Sequence, residues 1–219
     1  MPPTITVIKP EAIEAKSFAI IAEEFYQQTG RHPEEFTPAQ FAIIQRVIHA
    51  TGDFSFAGAL RFHPQAIDTA LRMLRAGRAI VTDVQMVASG INKKALAARG
   101  GSVFCEVANP EIAALAEAQG LTRSEAAILK VMAAHAPGLI AIGNAPTALL
   151  SVIKHCAQNP GNFQGVIIGA PVGFVNAAES KEILAAQEVP HIVALGRKGG
   201  SPVAAAIVNA LIRLAAEGS

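Results

Sequence analysis

The chain has 219 residues, of which 51% are hydrophobic and 5% aromatic, with 18 Lys and Arg against 17 Asp and Glu. Its length fits one domain with a substantial core, and we expect residues 1–219 to form a single domain. The balanced charge argues against binding to nucleic acid or to an anionic membrane, because both partners need a basic surface.

The cysteines and the two terminal segments argue against a disulfide-rich, zinc-binding, exported or membrane-spanning protein. Cys105 and Cys156 lie far apart without a C-x-x-C spacing, which argues against a disulfide framework and a zinc site. The stretch from Met1 to Pro10 lacks the basic and apolar regions of a signal peptide, so export is not expected. The apolar stretch from Val203 to Ala216 is too short for a span of about 20 residues, and we predict a core-facing helix there.

Two helices are predicted at the N-terminal end. The first covers Glu11 to Gln28 and places Ser17 on its apolar face, where the hydroxyl either bonds its own backbone or reaches a ligand. Residues 27–38 are polar and rich in Gly and Pro, which predicts a mobile loop. The second helix starts at Pro38 and ends at Gly52. His49 then lies in the last turn, where the helix dipole favours the protonated imidazolium; it is either an acid or a surface histidine without a role.

Strands and helices alternate from Leu60 onwards. Strands are predicted at 60–62, 79–82 and 103–107, with helices at 64–76, from Val84 and after Asn109-Pro110. Asp83 is either the N-cap of the helix that follows it or a site residue. The run from Asn92 to Lys94 predicts a turn with solvated charges.

Arg123 occupies an unfavourable place. Thr122 and Glu125 form a capping-box pattern, which puts Arg123 in the first turn of a helix. A cation there opposes the helix dipole at a cost of roughly 0.3 to 1 kcal/mol. An anion bound at this end would remove the conflict, so Arg123 is a candidate binding residue.

The last third of the chain repeats a unit of strand, glycine-rich turn and helix. It occurs at 139–150, 165–181 and 191–203. Pro146 suits the opening turn of one helix, Asn176 with Glu179 a capping box, and Ser201 an N-cap before Pro202. Three helix N-termini would therefore face one edge of a sheet, where an anion with several negative groups would bind.

This alternation predicts an α/β fold with a mostly parallel, doubly wound sheet, helices on both faces and an N-terminal helical extension. The phosphate-loop patterns G-x-G-x-x-G and G-x-x-x-x-G-K-[ST], the metal pattern H-E-x-x-H and the nucleophile elbow G-x-S-x-G are absent. The residues alone thus predict a polyanion site and an acid, His49, without naming a reaction.

Seven segments in this order resemble the precorrin-8X methylmutase family of cobalamin biosynthesis. They are IEAKSFAII (13–21), RVIHATGD (46–53), IVTDVQMVASGI (80–91), LTRSEAA (121–127), AIGNAPTAL (141–149), GAPVGFVNAAESK (169–181) and GRKGGSP (196–202). The resemblance implies a cytoplasmic isomerase that moves a methyl group from carbon 11 to carbon 12 of a polycarboxylate corrinoid. It also implies a homodimer that needs no cofactor and no protein-bound metal.

The family's histidine corresponds to His49, which the resemblance makes the general acid. Substrate contacts are implied at Ser17, Arg46, Asp83, Asn92, Arg123, Asn144, Thr147, Gly173, Phe174, Ser180, Lys181, Gly199, Gly200 and Ser201. Asn92 stands where some relatives carry threonine, and residues 27–38 form a longer segment than in many relatives. A non-catalytic corrinoid-binding protein is the alternative. A nucleotide-dependent oxidoreductase fits least, because its fingerprint is absent.

Overall fold

The computed structural model describes residues 9–217, without the side chains of Pro10 and Glu11. The expectation that Met1 to Pro10 is not a signal peptide therefore falls almost wholly outside the described residues. The described part of the chain forms one six-stranded sheet. Its strands are β1 (Leu60–Phe62), β2 (Ile80–Thr82), β3 (Val103–Phe104), β4 (Leu139–Ile142), β5 (Val166–Gly169) and β6 (His191–Ala194).

The strand order is β1-β6-β5-β4-β2-β3, and every neighbouring pair is parallel except β1 with β6. In register, Leu139 lies opposite both Ile80 and Val166, and His191 opposite Ile167. All residues of β2, β4, β5 and β6 are buried, which explains why these strands lack polar alternation. The predicted α/β fold with a mostly parallel sheet is confirmed.

Helices cover both faces of this sheet. They are α1 (Pro10–Thr29), α2 (Pro38–Thr51), α3 (Phe56–Ala59), α4 (Ala66–Arg75), α5 (Gln85–Gly90), α6 (Lys93–Ala97), α7 (Pro110–Gln119), α8 (Arg123–His135), α9 (Pro146–Gln158), α10 (Ala177–Ala185) and α11 (Ser201–Glu217), with a 3₁₀ turn at Pro33–Glu35. None of the helices that the structure describes is long and apolar enough to cross a membrane.

Two apolar layers hold the sheet between the helices. On one face, α11 packs against α2, α4 and α5, with Val203, Ile207 and Leu211 fully buried. On the other face, α8, α9 and α10 cover the strands with side chains such as Ile128 and Leu149. The predicted core-facing C-terminal helix is therefore confirmed. The N-terminal helix α1 lies outside this sandwich on α2, as the extension was predicted to do.

Several local predictions need correction. The segment from Asn92 to Lys94 begins the helix α6 rather than a turn, because the Asn92 side chain accepts a hydrogen bond from the Ala95 N–H. Asn176 precedes α10 as predicted, but its backbone is left-handed with φ 60° and its side chain makes no capping bond, so the capping box with Glu179 does not form. Helix α11 already begins at Ser201, one residue earlier than predicted.

Candidate functional site

The carboxyl ends of β2, β4, β5 and β6 lie at one edge of the sheet because these strands are parallel. The loops that follow them form what we call the strand-end surface. Helix α8 also begins there: the Thr122 hydroxyl lies 3.1 Å from that of Thr147 in α9, and Ser151 donates to Glu125 at 2.8 Å. The predicted convergence of helix N-termini at one edge is thus present, with α8 in addition.

Asp83 organises the start of α9. Its carboxylate is fully buried and accepts hydrogen bonds from the backbone N–H groups of Gly143 at 2.9 Å and of Asn144 and Ala145 at 2.8 Å. Burial raises the pKa of Asp83, and these N–H donors counteract part of that rise. Asp83 does not cap the helix that follows it: its carboxylate occupies the anion position at the start of α9 and shapes the loop that carries Asn144. Its predicted substrate contact stays a prediction.

The loops after β5 and β6 are bonded to each other. Gly200 donates its N–H to the Ala170 carbonyl at 2.7 Å, and Gly173 donates to the Arg197 carbonyl at 3.2 Å. A Cβ on Gly199 would lie 2.4 Å from the Ala170 oxygen, so only glycine allows this approach. The N–H groups of Gly173 and Gly200 thus join the two loops, and the substrate contacts predicted at Gly173, Gly199 and Gly200 stay predictions.

Ser180 and Lys181 are fully buried in α10 and do not face solvent. The Ser180 hydroxyl donates to the Ala177 carbonyl at 3.1 Å, and the Lys181 ammonium donates to the Lys198 carbonyl at 2.8 Å. Burial lowers the pKa of Lys181 to about 8. Lys181 therefore supports the loop after β6 from within, and the substrate contacts predicted at Ser180 and Lys181 stay predictions.

Lys198 connects this loop to the end of α2. Its ammonium donates to the Asp53 carboxylate at 2.6 Å and to the Ser55 hydroxyl at 3.0 Å. The same ammonium holds the pKa of Asp53 below its usual range. Sequence reasoning missed Lys198 and Asp53 as components of the site, because 145 positions separate them and neither carries a local signal. The pair fixes the last turn of α2 beside the strand-end surface.

His49 lies in that last turn and is exposed, as predicted. Its ring meets the Phe18 ring of α1 edge-on, with centroids 5.4 Å apart. Glu14 of α1 accepts a hydrogen bond from Arg46 at 2.9 Å, and this contact, with smaller contributions from Arg213 and His49, lowers the pKa of Glu14. His49 is therefore an accessible imidazole with a carboxylate in its neighbourhood.

Exposed cations and apolar groups share the strand-end surface. Phe174 is 83% exposed and Val175 78% exposed, and the Arg197 guanidinium lies 5.4 Å from the centre of the Phe174 ring. Arg123 is the exposed first residue of α8, behind the predicted capping box, and its side chain donates to the Val107 carbonyl at 3.3 Å. Such a surface suits a large ligand that combines an apolar body with several carboxylates.

Three other predicted contact residues, Ser17, Arg46 and Asn92, have their described partners elsewhere. Ser17 bonds the Ile13 carbonyl at 2.8 Å, and Arg46 pairs with Glu14. Asn92 caps α6, and its N–H donates to Asn209, about 12 Å along α11 from Ser201 at 1.5 Å per residue. Ser201 itself is buried at the start of α11. The structure thus brings Arg123, Asn144, Thr147 and Phe174 to the strand-end surface but not Ser17, Arg46 or Asn92.

Comparison with known proteins is consistent with this arrangement. The family model described as precorrin-8X methylmutase matches residues 12–214. The chain belongs to the precorrin-8X methylmutase family. Among family members, the cobalt-precorrin-8 methylmutase of Priestia megaterium is 42% identical over 96% of this chain and 91% of its own length. The precorrin-8X methylmutase of a Sinorhizobium species is 40% identical over 92% and 93%.

Solved structures of the family have the same fold. A precorrin-8X methylmutase from Thermus thermophilus superimposes with a TM-score of 0.82 at 37% identity, covering 94% of this chain and 98% of that one. A precorrin-8X methylmutase related protein superimposes with a TM-score of 0.80 at 34% identity, covering 90% and 100%. The resemblance predicted from the seven motifs is confirmed.

The buried ammonium of Lys181 should make stability depend on pH. Its pKa is lowered to about 8 from 10.5, so between these values the folded protein binds fewer protons than the unfolded chain. The free energy of unfolding of the parent protein should then rise relative to Lys181→Met, by on the order of 3 kcal/mol from pH 8 to 10.5. Denaturant unfolding of both proteins across this range measures it. The exposed Lys154→Met serves as control, and a difference independent of pH for Lys181→Met would contradict the assignment.

Proposed function

We propose that this protein is a methylmutase that acts on precorrin-8X or its cobalt form and moves the methyl group from carbon 11 to carbon 12 of ring C. The observation that carries the proposal is the strand-end surface. It joins exposed cations and apolar side chains, and the Lys198–Asp53 pair ties the His49 helix to it. A polycarboxylate macrocycle needs both kinds of contact. The family's chemistry also supports a cytoplasmic location.

His49 is the proposed general acid. Its exposed ring lies in the last turn of α2, and this helix adjoins the strand-end surface. Protonation of a ring nitrogen would make the accepting carbon more electrophilic. The bond from the methyl group to carbon 11 then breaks as its bond to carbon 12 forms, and the return of the proton from the product to the His49 imidazole restores the acid. No external oxidant, reductant or methyl donor is needed, because the product is an isomer of the substrate.

Absorption spectroscopy tests the activity directly. The methyl shift changes the conjugated system, so incubation with precorrin-8X should convert its spectrum to that of the isomer. A parallel incubation with cobalt-precorrin-8 compares the conversion of the metal-free and the cobalt substrate. Both substrates occur in the names of the relatives. A protein that binds either compound without any conversion would be the non-catalytic corrinoid-binding alternative.

Arg123→Ala should weaken corrinoid binding. A charge-assisted hydrogen bond contributes about 1.5 to 3 kcal/mol, which corresponds to a loss of roughly 10- to 150-fold in affinity. Stability should stay unchanged or rise slightly, because the cation opposes the α8 dipole. A binding titration and a thermal melt measure both effects. Unchanged affinity together with clear destabilisation would make Arg123 a structural residue.

The proposal includes a homodimer, as the resemblance implies. Exposed apolar side chains on α1 support it, with Ile13 49%, Ile20 42% and Tyr26 53% exposed. Sedimentation at micromolar concentration should give twice the chain mass of 22.7 kDa. Ile13→Glu with Ile20→Glu should shift the dimer toward monomer, whereas Met86→Glu, on α5, should not. An active monomer of the parent protein would overturn this part of the proposal.

A further inference from the structure

A second concave site lies at the opposite edge of the sheet. Its cavity measures about 780 Å³. Lining residues include Arg78, just before β2, Pro137, just before β4, and Gly165, just before β5. The amino ends of the parallel strands thus form its floor. The cavity is therefore separated by the length of the strands from the strand-end surface, and the proposed methyl transfer does not use it.

The polar side chains of this cavity are cationic or neutral. Arg72, Arg78 and His155 line it, and no carboxylate does so among the described residues that form its wall. Within residues 9–217, neither guanidinium has a side-chain hydrogen bond or an ion pair with another part of the chain. Two exposed guanidiniums without a partner beside an imidazole leave a local excess of positive charge in a protein whose formal net charge is only +1.

All three cations lie at or beside the C-terminal end of a helix. Arg72 lies in the last turn of α4 and His155 in the last turn of α9, where a cation stabilises the helix end. Arg78 follows Gly77, and its N–H donates to the Met73 carbonyl at 3.0 Å, a bond that closes the end of α4 before the chain enters β2. The end of α4 thus presents two guanidiniums at the cavity wall.

Apolar side chains supply the rest of the wall. Met73, Met132, Pro137 and Phe163 line the cavity together with small alanines. Its volume lies within the range of about 300 to 1,000 Å³ that is typical of sites for small organic ligands, and is far more than an inorganic anion needs. Two guanidinium forks bind carboxylates in a planar, bidentate manner. We propose that this cavity binds a small organic dianion, in which two carboxylates are attached to a flat apolar body.

Isothermal titration with 2,6-naphthalenedicarboxylate tests the site on the intact protein. One molecule should bind per chain, and the uncharged 2,6-naphthalenedicarboxamide should bind at least tenfold more weakly. Arg72→Gln and Arg78→Gln should each lower the affinity about tenfold or more, since each removes a charge-assisted contact. Arg75→Gln is the matched control on α4, because its side chain contacts the Ala215 carbonyl instead of the cavity.

Two further variants separate the alternatives. Ala133→Phe keeps every charge but fills the cavity from α8, and it should also weaken binding tenfold or more, so the test does not depend on the arginine variants alone. Arg123→Gln alters only the strand-end surface and should leave this affinity unchanged. Equal binding of the dicarboxamide, a loss with Arg123→Gln alone, or full affinity in Ala133→Phe would each overturn the proposal.

Discussion

Replacement of His49 by alanine is expected to lower the turnover of precorrin-8X by 10²- to 10⁴-fold. A positioned general acid contributes about 3 to 5 kcal/mol to the lowering of the barrier, and the variant has no proton to donate at this position. Product binding should change far less, because Arg123 and the apolar Phe174 lie on other elements. Single-turnover conversion, followed by absorption, measures the rate without a contribution from product release.

His49→Asn is the near-isosteric control for this experiment. It keeps a polar side chain beside Phe18 but cannot carry the proton, so it should be as slow as His49→Ala. If either variant reacts within a few-fold of the parent enzyme, the proton comes from another group.

Asp83→Ala is expected to give the largest loss of stability. The buried carboxylate accepts three backbone hydrogen bonds from the loop before α9, and its removal leaves the N–H groups of Gly143, Asn144 and Ala145 without that acceptor. Each buried donor left unsatisfied costs about 1 to 3 kcal/mol. The N–H groups of Gly143 and Ala145 are buried, so the free energy of unfolding should fall by about 2 to 6 kcal/mol. Denaturant unfolding measures this change.

Asp83→Asn retains one oxygen acceptor, so its free energy of unfolding should fall by about half as much as that of Asp83→Ala. Asp53→Asn is a control of the same chemistry at a partly exposed carboxylate, where the loss should stay near 1 kcal/mol or below. Both Asp83 variants should also weaken corrinoid binding, since the loop that carries Asn144 and Thr147 loses its anchor. A stable Asp83→Ala protein with normal affinity would show that this loop holds its shape without the carboxylate.

Most elements of the fold could be predicted because their signals are local. The units at 139–150, 165–181 and 191–203 were predicted to open with a strand, and β4, β5 and β6 begin at Leu139, Val166 and His191, within a residue of those places. The helix start at Arg123 followed from Thr122, whose hydroxyl accepts a hydrogen bond from the Glu125 N–H, and the start at Pro38 followed from the proline itself. The Thr37 cap of that helix was not predicted. Gly52 ends α2 in the left-handed conformation that the sequence suggested.

Local signals misled where a second partner decides the outcome. Asn176 has the chemistry of an N-cap, but the loop after β5 is bonded to the loop after β6 and holds Asn176 in a left-handed conformation that prevents capping. Asp83 also has the chemistry of an N-cap. Its carboxylate does accept hydrogen bonds from backbone N–H groups, but these belong to a loop 60 positions further along the chain. Residue type thus indicated the kind of bond, and tertiary contacts selected the partner.

The sequence by itself determined the order of strands and helices along the chain, the sheet edge to which the helix N-termini point and the family to which the chain belongs, because periodicity, capping residues and contiguous motifs are properties of short segments. Only the tertiary structure decided that Lys181 and Asp83 face inward, that Lys198 joins the His49 helix to the strand-end surface, and that Arg72 and Arg78 meet at one cavity. These relations depend on distances between segments that are far apart in the chain, and such distances exist only after the helices have packed on the sheet.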